Sequence, residues 1–225
     1  MSRATDVIVL AGGEARRLGG VAKGEVEVAG RAMLDHVLEA AAHAPAVIIV
    51  GPDELARPGV PTVMEHPPRG GPVAGIEAGL ELLDKRAAEG AQPPGDAVVG
   101  HLDPAPERLV AVLACDVPRA PAALPHLETA LAAAPGADGV HLTDGEGRSQ
   151  LVMLVRHEAL RGALARLGDG HGTWGASVKR LVAQLNLEPV PDAWGYGRDA
   201  DTWEDVRALD ALMQEENDGG NRTAG

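Results

Sequence analysis

Three basic side chains crowd a glycine-rich turn near the start of the chain. Leu10-Ala11-Gly12-Gly13-Glu14-Ala15-Arg16-Arg17-Leu18-Gly19-Gly20 runs straight out of an apolar stretch, and Lys23 lies just beyond. Glycines let backbone N–H groups approach an anion closely, Arg offers a planar set of donors, and Lys adds a point charge. This is the chemistry of a phosphate cradle; the competing reading is a strand-to-helix turn with solvated basic residues. The stretch fits neither G-x-G-x-x-G nor a Walker A sequence, so neither the dinucleotide nor the P-loop reading applies.

Carboxylates form the second group. Asp116 ends the apolar run Leu109 to Ala114, at the kind of strand end where α/β sheets bind ligands. A hard oxygen there suits Mg2+, which takes one or two carboxylates plus phosphate oxygens and water; alternatively Asp116 only caps the turn before Pro118. Asp199 and Asp201 either supply a second carboxylate or hold an acceptor substrate, or else Asp201 or Thr202 caps the helix entered at Trp203. Cys115 follows a buried run with no neighbouring His and reads as a packed small hydrophobe. Ser177, ahead of Lys179 and Arg180, either contacts a phosphate or caps its helix. The eight His, His101 among them, show no metal-ligand spacing.

These residues need a scaffold, and the patterning supplies one. Asp6 to Ala11, Ala46 to Val50 and Leu109 to Ala114 read as buried strands, with Pro58 to Met64 a shorter one. Met33 to Ala41, Pro72 to Leu83, Pro121 to Ala133, His157 to Leu167, Ala176 to Leu185 and Asp205 to Gln214 read as helices. Gly139–Leu142 and Ser149–Val155 pair around the turn Asp144-Gly145-Glu146-Gly147, and Leu187–Val190 adds a strand. Alternation of strands and helices implies one three-layer, Rossmann-like α/β domain over 1–214, with a mostly parallel sheet and helices on both faces. The Pro-, Gly- and charge-rich stretch 87–108 reads as a mobile insertion, and 215–225 (with Glu215, Glu216 and Asp218) as a disordered, solvated tail.

The 225 residues carry 33 acidic and 20 basic side chains, a formal net charge of −13, with mean hydropathy near zero. That balance argues against a nucleic-acid or anionic-membrane binder, though not against a local basic pocket. Phe is absent, so Leu, Val, Ile and Ala must build the core. One Cys forms no internal disulfide, and no apolar run reaches membrane-span length. A cytoplasmic protein is expected.

The motif LAGG-x-A-x-R-L-G-G-x-x-K-G resembles the signature of nucleotidyltransferases related to sugar-nucleotide synthetases, most closely the molybdenum cofactor guanylyltransferases. Three further segments match in order: Arg69-Gly70-Gly71-Pro72-Val73-Ala74-Gly75-Ile76, Leu113-Ala114-Cys115-Asp116-Val117-Pro118, and Asp199-Ala200-Asp201-Thr202-Trp203-Glu204-Asp205. The resemblance spans residues 6 to about 210 and implies the nucleotide-diphospho-sugar transferase type of fold. It also implies transfer of GMP from GTP to the phosphate of molybdenum-bound molybdopterin, with release of pyrophosphate. Leu10, Ala11, Gly12 and Gly13 would hold the nucleotide, with Gly71 and Pro72 beside them. Arg17 and Lys23 would take the triphosphate, with Arg16 the alternative to Arg17. Asp116 would hold Mg2+, and Asp199 and Asp201 would bind substrate. Glu65-His66 stands where relatives have Glu-Asp, which puts His66 among the expected substrate contacts, and Gly51-Pro52 stands where they often carry an amide. Gln150 is expected to face the acceptor. Partners of this family, molybdenum cofactor insertion proteins or molybdoenzyme chaperones, are expected too. The rivals are a cytidylyltransferase, a sugar-phosphate nucleotidyltransferase, and a non-catalytic nucleotide-binding regulator.

Overall fold

Residues 5–12, 14–15, 18–90 and 107–222 are described by the structure, a computed structural model. The strands are β1 (Thr5–Leu10), β2 (Glu14–Ala15), β3 (Val21–Ala22), β4 (Glu27–Val28), β5 (Arg31–Ala32), β6 (Val47–Val50), β7 (Thr62–Val63), β8 (Leu109–Ala114), β9 (Gly139–Thr143), β10 (Ser149–Arg156) and β11 (Leu187–Pro191). The helices are α1 (Met33–Ala40), α2 (Pro72–Gly90), α3 (Leu124–Ala133), α4 (His157–His171), α5 (Val178–Val182) and α6 (Trp203–Arg222).

Seven strands form one sheet in the order β11-β9-β10-β8-β1-β6-β7. Pairing is parallel throughout except along β10, which runs antiparallel to both neighbours. Strand β1 lies inside the sheet and is buried on both faces, as its apolar run Val7–Leu10 favours. Its side chains alternate: Val7 and Val9 join α1 and α3 on one face, while Ile8 and Leu10 join α2, α4 and α5 on the other. Each fully buried Leu or Val contributes about 1.5–3 kcal/mol, so Leu, Val and Ile sustain both cores without Phe. Gly79 lets α2 lie close, since a Cβ there would stand 2.9 Å from Ile8. A third, smaller core joins Val206 and Leu209 of α6 to Leu18, Val28 and Met33.

The three-layer α/β architecture is the expected one, and several boundaries differ. The third strand is only Thr62–Val63, because Pro58 and Pro61 lack the N–H that a ladder needs. The helix expected from Pro121 opens as a 3-10 turn over Ala120–Ala123 before α3 begins. Two small ribbons, β2 with β3 and β4 with β5, were not signalled by periodicity. Helix α5 is shorter than Ala176–Leu185. Of the stretch 87–108, residues 87–90 belong to α2 and 107–108 lead into β8; the rest of that expected insertion lies outside the described residues. Helix α6 continues to Arg222 through the segment expected to be a tail, and Glu216 pairs there with Arg119.

Candidate functional site

Strand β1 has β6 on one side and β8 on the other, so the chain leaves its C-terminal end in both directions. A crevice opens at such a switch point. Here it is a cavity of about 680 Å³, into which Leu10, Gly12, Lys23, Gly71, Pro72, Asp116 and Asp199 all face. Tertiary structure thus gathers residues from four separate sequence motifs.

Lys23 opens a short 3-10 turn, Lys23–Glu25, closed by Val26 N–H donating to the Lys23 carbonyl. Its Nζ donates to Asp116 Oδ2 at 2.6 Å and also to Asp201. Partial burial disfavours the ammonium, but the hydrogen bonds and charges of Asp116 and Asp201 outweigh it and hold the Lys23 pKa above the ordinary lysine value. Asp116 is brought in by β8, and its carbonyl accepts the Ala200 N–H at 3.0 Å, tying the loop that carries Asp199 and Asp201 to the same point. Burial, and then the charges of Asp201 and Asp116, push the Asp199 carboxyl up from its ordinary range.

The capping question is answered locally. Thr202 caps α6: its Oγ1 accepts the Asp205 N–H at 3.2 Å, while Asp205 Oδ2 accepts the Thr202 N–H at 2.9 Å. This reciprocal box leaves the Asp201 side chain for Lys23. Ser177 likewise accepts the Arg180 N–H as the cap of α5 and is not among the residues facing the cavity. Cys115 is buried, and that burial, aided by the charge of Asp116, pushes its thiol up to about 12.

Helix α2 points its N-terminus at the cavity, with Pro72 at its first position and Gly71 in the left-handed region at φ 84°. The free N–H groups and dipole of such an end favour an anion. Glu65 Oε1 accepts the Gly70 N–H at 3.0 Å and faces the cavity, a residue the motifs did not single out. His66 does not face it: His66 lines a neighbouring hollow of about 390 Å³ with Met64, Glu65 and Trp174, so that Glu65 borders both spaces and His66 only the second. Just after β6, Gly51 packs on Ala11, whose backbone carbon a Cβ would meet at 3.2 Å.

On the far side of Asp116, Gln150 faces the cavity, and its Nε2 donates to the Gly197 carbonyl at 3.1 Å. Asp144, Arg148 and Ser149 join it there. The motifs passed over these three because Asp144 read as part of a turn and Ser149 as the first residue of a strand, with Arg148 between them; the turn before an antiparallel strand was the available signal. Ala11 is buried and donates its N–H to the Val50 carbonyl at 2.7 Å. Gly13, Arg16 and Arg17 lie outside the described residues. Among the described residues no three of His, Cys, Asp and Glu are grouped as a ready-made metal site. None of their helices is long and apolar enough to cross a membrane.

Comparison with known proteins adds to this geometry. The family model described as the MobA-like NTP transferase domain matches residues 7–189. A molybdenum cofactor guanylyltransferase of Acidiphilium cryptum is 32% identical over 188 residues, 81% of this chain and 81% of its own length. One from Shewanella amazonensis is 28% identical over 202 residues, 86% of this chain and 91% of its own. Among solved structures, molybdopterin-guanine dinucleotide biosynthesis protein A from Archaeoglobus fulgidus superposes with a TM-score of 0.64 at 19% identity, covering 93% of this chain and 99% of that one. The 4-diphosphocytidyl-2C-methyl-D-erythritol synthase of Anaerococcus prevotii gives 0.59 at 14% identity, covering 94% and 96%. At those identities the two structures show a shared fold.

Proposed function

The chain belongs to the MobA-like NTP transferase family of nucleotidyltransferases, and we propose that within it the protein transfers GMP from GTP to the phosphate of molybdenum-loaded molybdopterin. The observation that carries this reading is the meeting of Lys23, Asp116 and Asp201 at the switch point, with the N-terminus of α2 facing the same cavity. The names of the two curated relatives support the base and the acceptor.

An acceptor phosphate oxygen would bond to the α-phosphorus of GTP while the bond from that phosphorus to the bridging oxygen breaks. The bridging oxygen keeps the electron pair and leaves with pyrophosphate. A phosphate nucleophile is already ionised at neutral pH, so no general base is assigned, and catalysis rests on positioning and charge neutralisation. Backbone at Leu10 to Gly13 and the N-terminus of α2 would hold the nucleotide, and Lys23 with Arg17 would neutralise the triphosphate. Arg16 takes that place if Arg17 does not.

The residues fit Mg2+. Asp116, Asp199 and Asp201 set three carboxylates against the one ammonium of Lys23, and burial first, then the charges of Asp201 and Asp116, raises the Asp199 pKa. Their oxygens are hard donors, and with no ready-made set of three ligands the remaining positions fall to phosphate oxygens and water, as Mg2+ favours. Bound there on Asp116, the ion would supply charge stabilisation on the phosphates.

Pyrophosphate release measured with each of four nucleoside triphosphates, loaded molybdopterin and Mg2+ tests the reading. Turnover with GTP alone, abolished by chelator, is expected. Preference for CTP, or for a sugar phosphate over molybdopterin, selects the corresponding rival, and nucleotide binding without turnover selects the regulator. Recovery of a molybdenum cofactor insertion protein or a molybdoenzyme chaperone bound to the loaded protein tests the expected partners.

A further inference from the structure

We propose that Arg148 anchors the phosphate of the acceptor, with Asp144 as the residue that positions it; the proposal rests on the phosphate-to-phosphate transfer argued above. Strands β1, β8 and β10 are consecutive neighbours in the sheet. Neighbouring strands lie about 4.8 Å apart, so β10 stands roughly 10 Å from β1. The nucleotide-side residues Leu10, Gly12, Gly71 and Pro72 lie around the ends of β1 and α2, and Asp116 ends β8 between them and β10. Because β10 is antiparallel, its beginning, not its end, lies at this edge, which brings Arg148, Ser149 and Gln150 to the cavity wall.

The turn before β10 is built around one carboxylate. Asp144 Oδ1 accepts the N–H groups of Glu146 and Arg148, each at 2.9 Å, and its Oδ2 accepts Arg148 Nε at 2.6 Å. The Asp144 N–H donates back to the Arg148 carbonyl at 3.0 Å. Arg148 Nη1 lies 3.1 Å from Glu146, and no described residue accepts from Nη2. The side chain is 72% exposed, so a ligand entering from solvent reaches it.

Charge decides the assignment. Among the described residues that line the cavity, the cations are Lys23 and Arg148. Lys23 is held by Asp116 and Asp201 at the ends of β8 and the Asp199–Asp201 loop, whereas Arg148, held by Asp144 and Glu146 through Nε and Nη1, is the cation on the β10 side. A phosphate nucleophile approaching an anionic α-phosphate needs countercharge on its own side of the reacting phosphorus. The guanidinium supplies that charge in a fork matched to phosphate, which Lys lacks.

The experiment titrates loaded molybdopterin and glucose 1-phosphate as acceptors at saturating GTP, and GTP itself in a separate binding titration, for wild type, Arg148→Ala, Arg148→Lys and Asp144→Asn. Circular dichroism confirms that each variant is folded. Arg148→Ala is expected to raise the acceptor KM at least tenfold while the GTP Kd stays within twofold. Arg148→Lys should fall between wild type and Arg148→Ala, and Asp144→Asn should raise the acceptor KM two- to fivefold. An acceptor KM within twofold of wild type in Arg148→Ala, or an equal loss of GTP affinity, overturns the anchor. If wild type transfers GMP to neither acceptor, the proposed reaction fails, and direct titration with molybdopterin then judges the anchor. Weaker binding by Arg148→Ala, with dephosphorylated molybdopterin bound alike by both proteins, upholds it; equal affinity for the phosphorylated form overturns it.

Discussion

Lys23 owes its position to two carboxylates that lie far from it in the chain, and this pairing makes the residue-scale predictions specific. Asp116→Asn is nearly isosteric and leaves Asp201 on Lys23, so the fold should persist. With Asp116 as the proposed Mg2+ ligand, loss of its charge should nonetheless lower turnover by at least about a hundredfold, roughly two steps of 1.4 kcal/mol. Steady-state kinetics at limiting magnesium checks this, and wild-type-like turnover would remove Asp116 from the mechanism. Lys23→Ala should lower the maximal rate more than it raises the nucleotide KM, because charge on the departing pyrophosphate grows in the transition state. Arg17→Lys, which keeps the charge and loses the fork, should lie between wild type and Arg17→Ala. Weakened nucleotide binding with turnover intact would make both residues a ground-state cradle.

At the scale of elements, a polar knot fixes α2 and α4 at the end of the sheet opposite the site. Asp84 of α2 accepts from His157 Nε2 at 2.6 Å, Arg161 at 2.7 Å and Arg108 at 3.2 Å, and Arg108 also reaches Asp6 at 3.0 Å. Burial works against the Asp84 carboxylate, but Arg161 and His157 outweigh it and lower its pKa from the ordinary 3.8. The unfolded chain therefore binds this proton more tightly than the folded one. The stability Asp84 contributes is full above 3.8 and is lost as pH falls through its lower folded value. Asp84→Asn should cost about 1–3 kcal/mol at pH 7 and flatten the acid limb of stability, as read by urea unfolding across pH. The α6 cap is a second lever. Thr202→Val removes the hydroxyl that accepts the Asp205 N–H, and should cost about 1 kcal/mol in the same assay.

For the molecule as a whole, α6 is the strap that holds the loop of Asp199 and Asp201 against the sheet. Its inner residues Val206 and Leu209 are buried, and Asp210 accepts the Ala29 N–H at 2.6 Å, whereas Glu216 is half-exposed and pairs with Arg119, whose Nη1 also donates to the Trp194 and Gly195 carbonyls. Truncation after Gln214 should therefore change stability by less than about 1 kcal/mol and leave turnover intact. Leu209→Ala should cost about 2–5 kcal/mol and lower turnover as well, because the carboxylate loop loses its backing. Thermal unfolding and pyrophosphate release measured on both variants test this division of the helix.

Local pattern carried a large part of this protein. Short apolar runs bounded by turn residues, such as Leu109–Ala114, read as strands buried on both faces, and the order of the glycine turn, the Gly-Pro entry to α2, Asp116 and the Asp-x-Asp segment is a property of the chain itself. What the chain order does not contain is distance. That Thr202, and not Asp201, caps α6, and that Asp201 reaches Lys23, depends on the capping box and on the Ala200 N–H binding the Asp116 carbonyl. Glu65 and His66 are adjacent in the chain, yet Glu65 borders the cavity and His66 only the neighbouring hollow, a distinction that the packing of the segment after β7 makes and the order of residues does not. Arg148 and Asp144 were legible only as a turn. The strand that follows them runs antiparallel, and direction within a sheet is set by pairing partners far away in sequence, so tertiary structure alone brings that turn to the site.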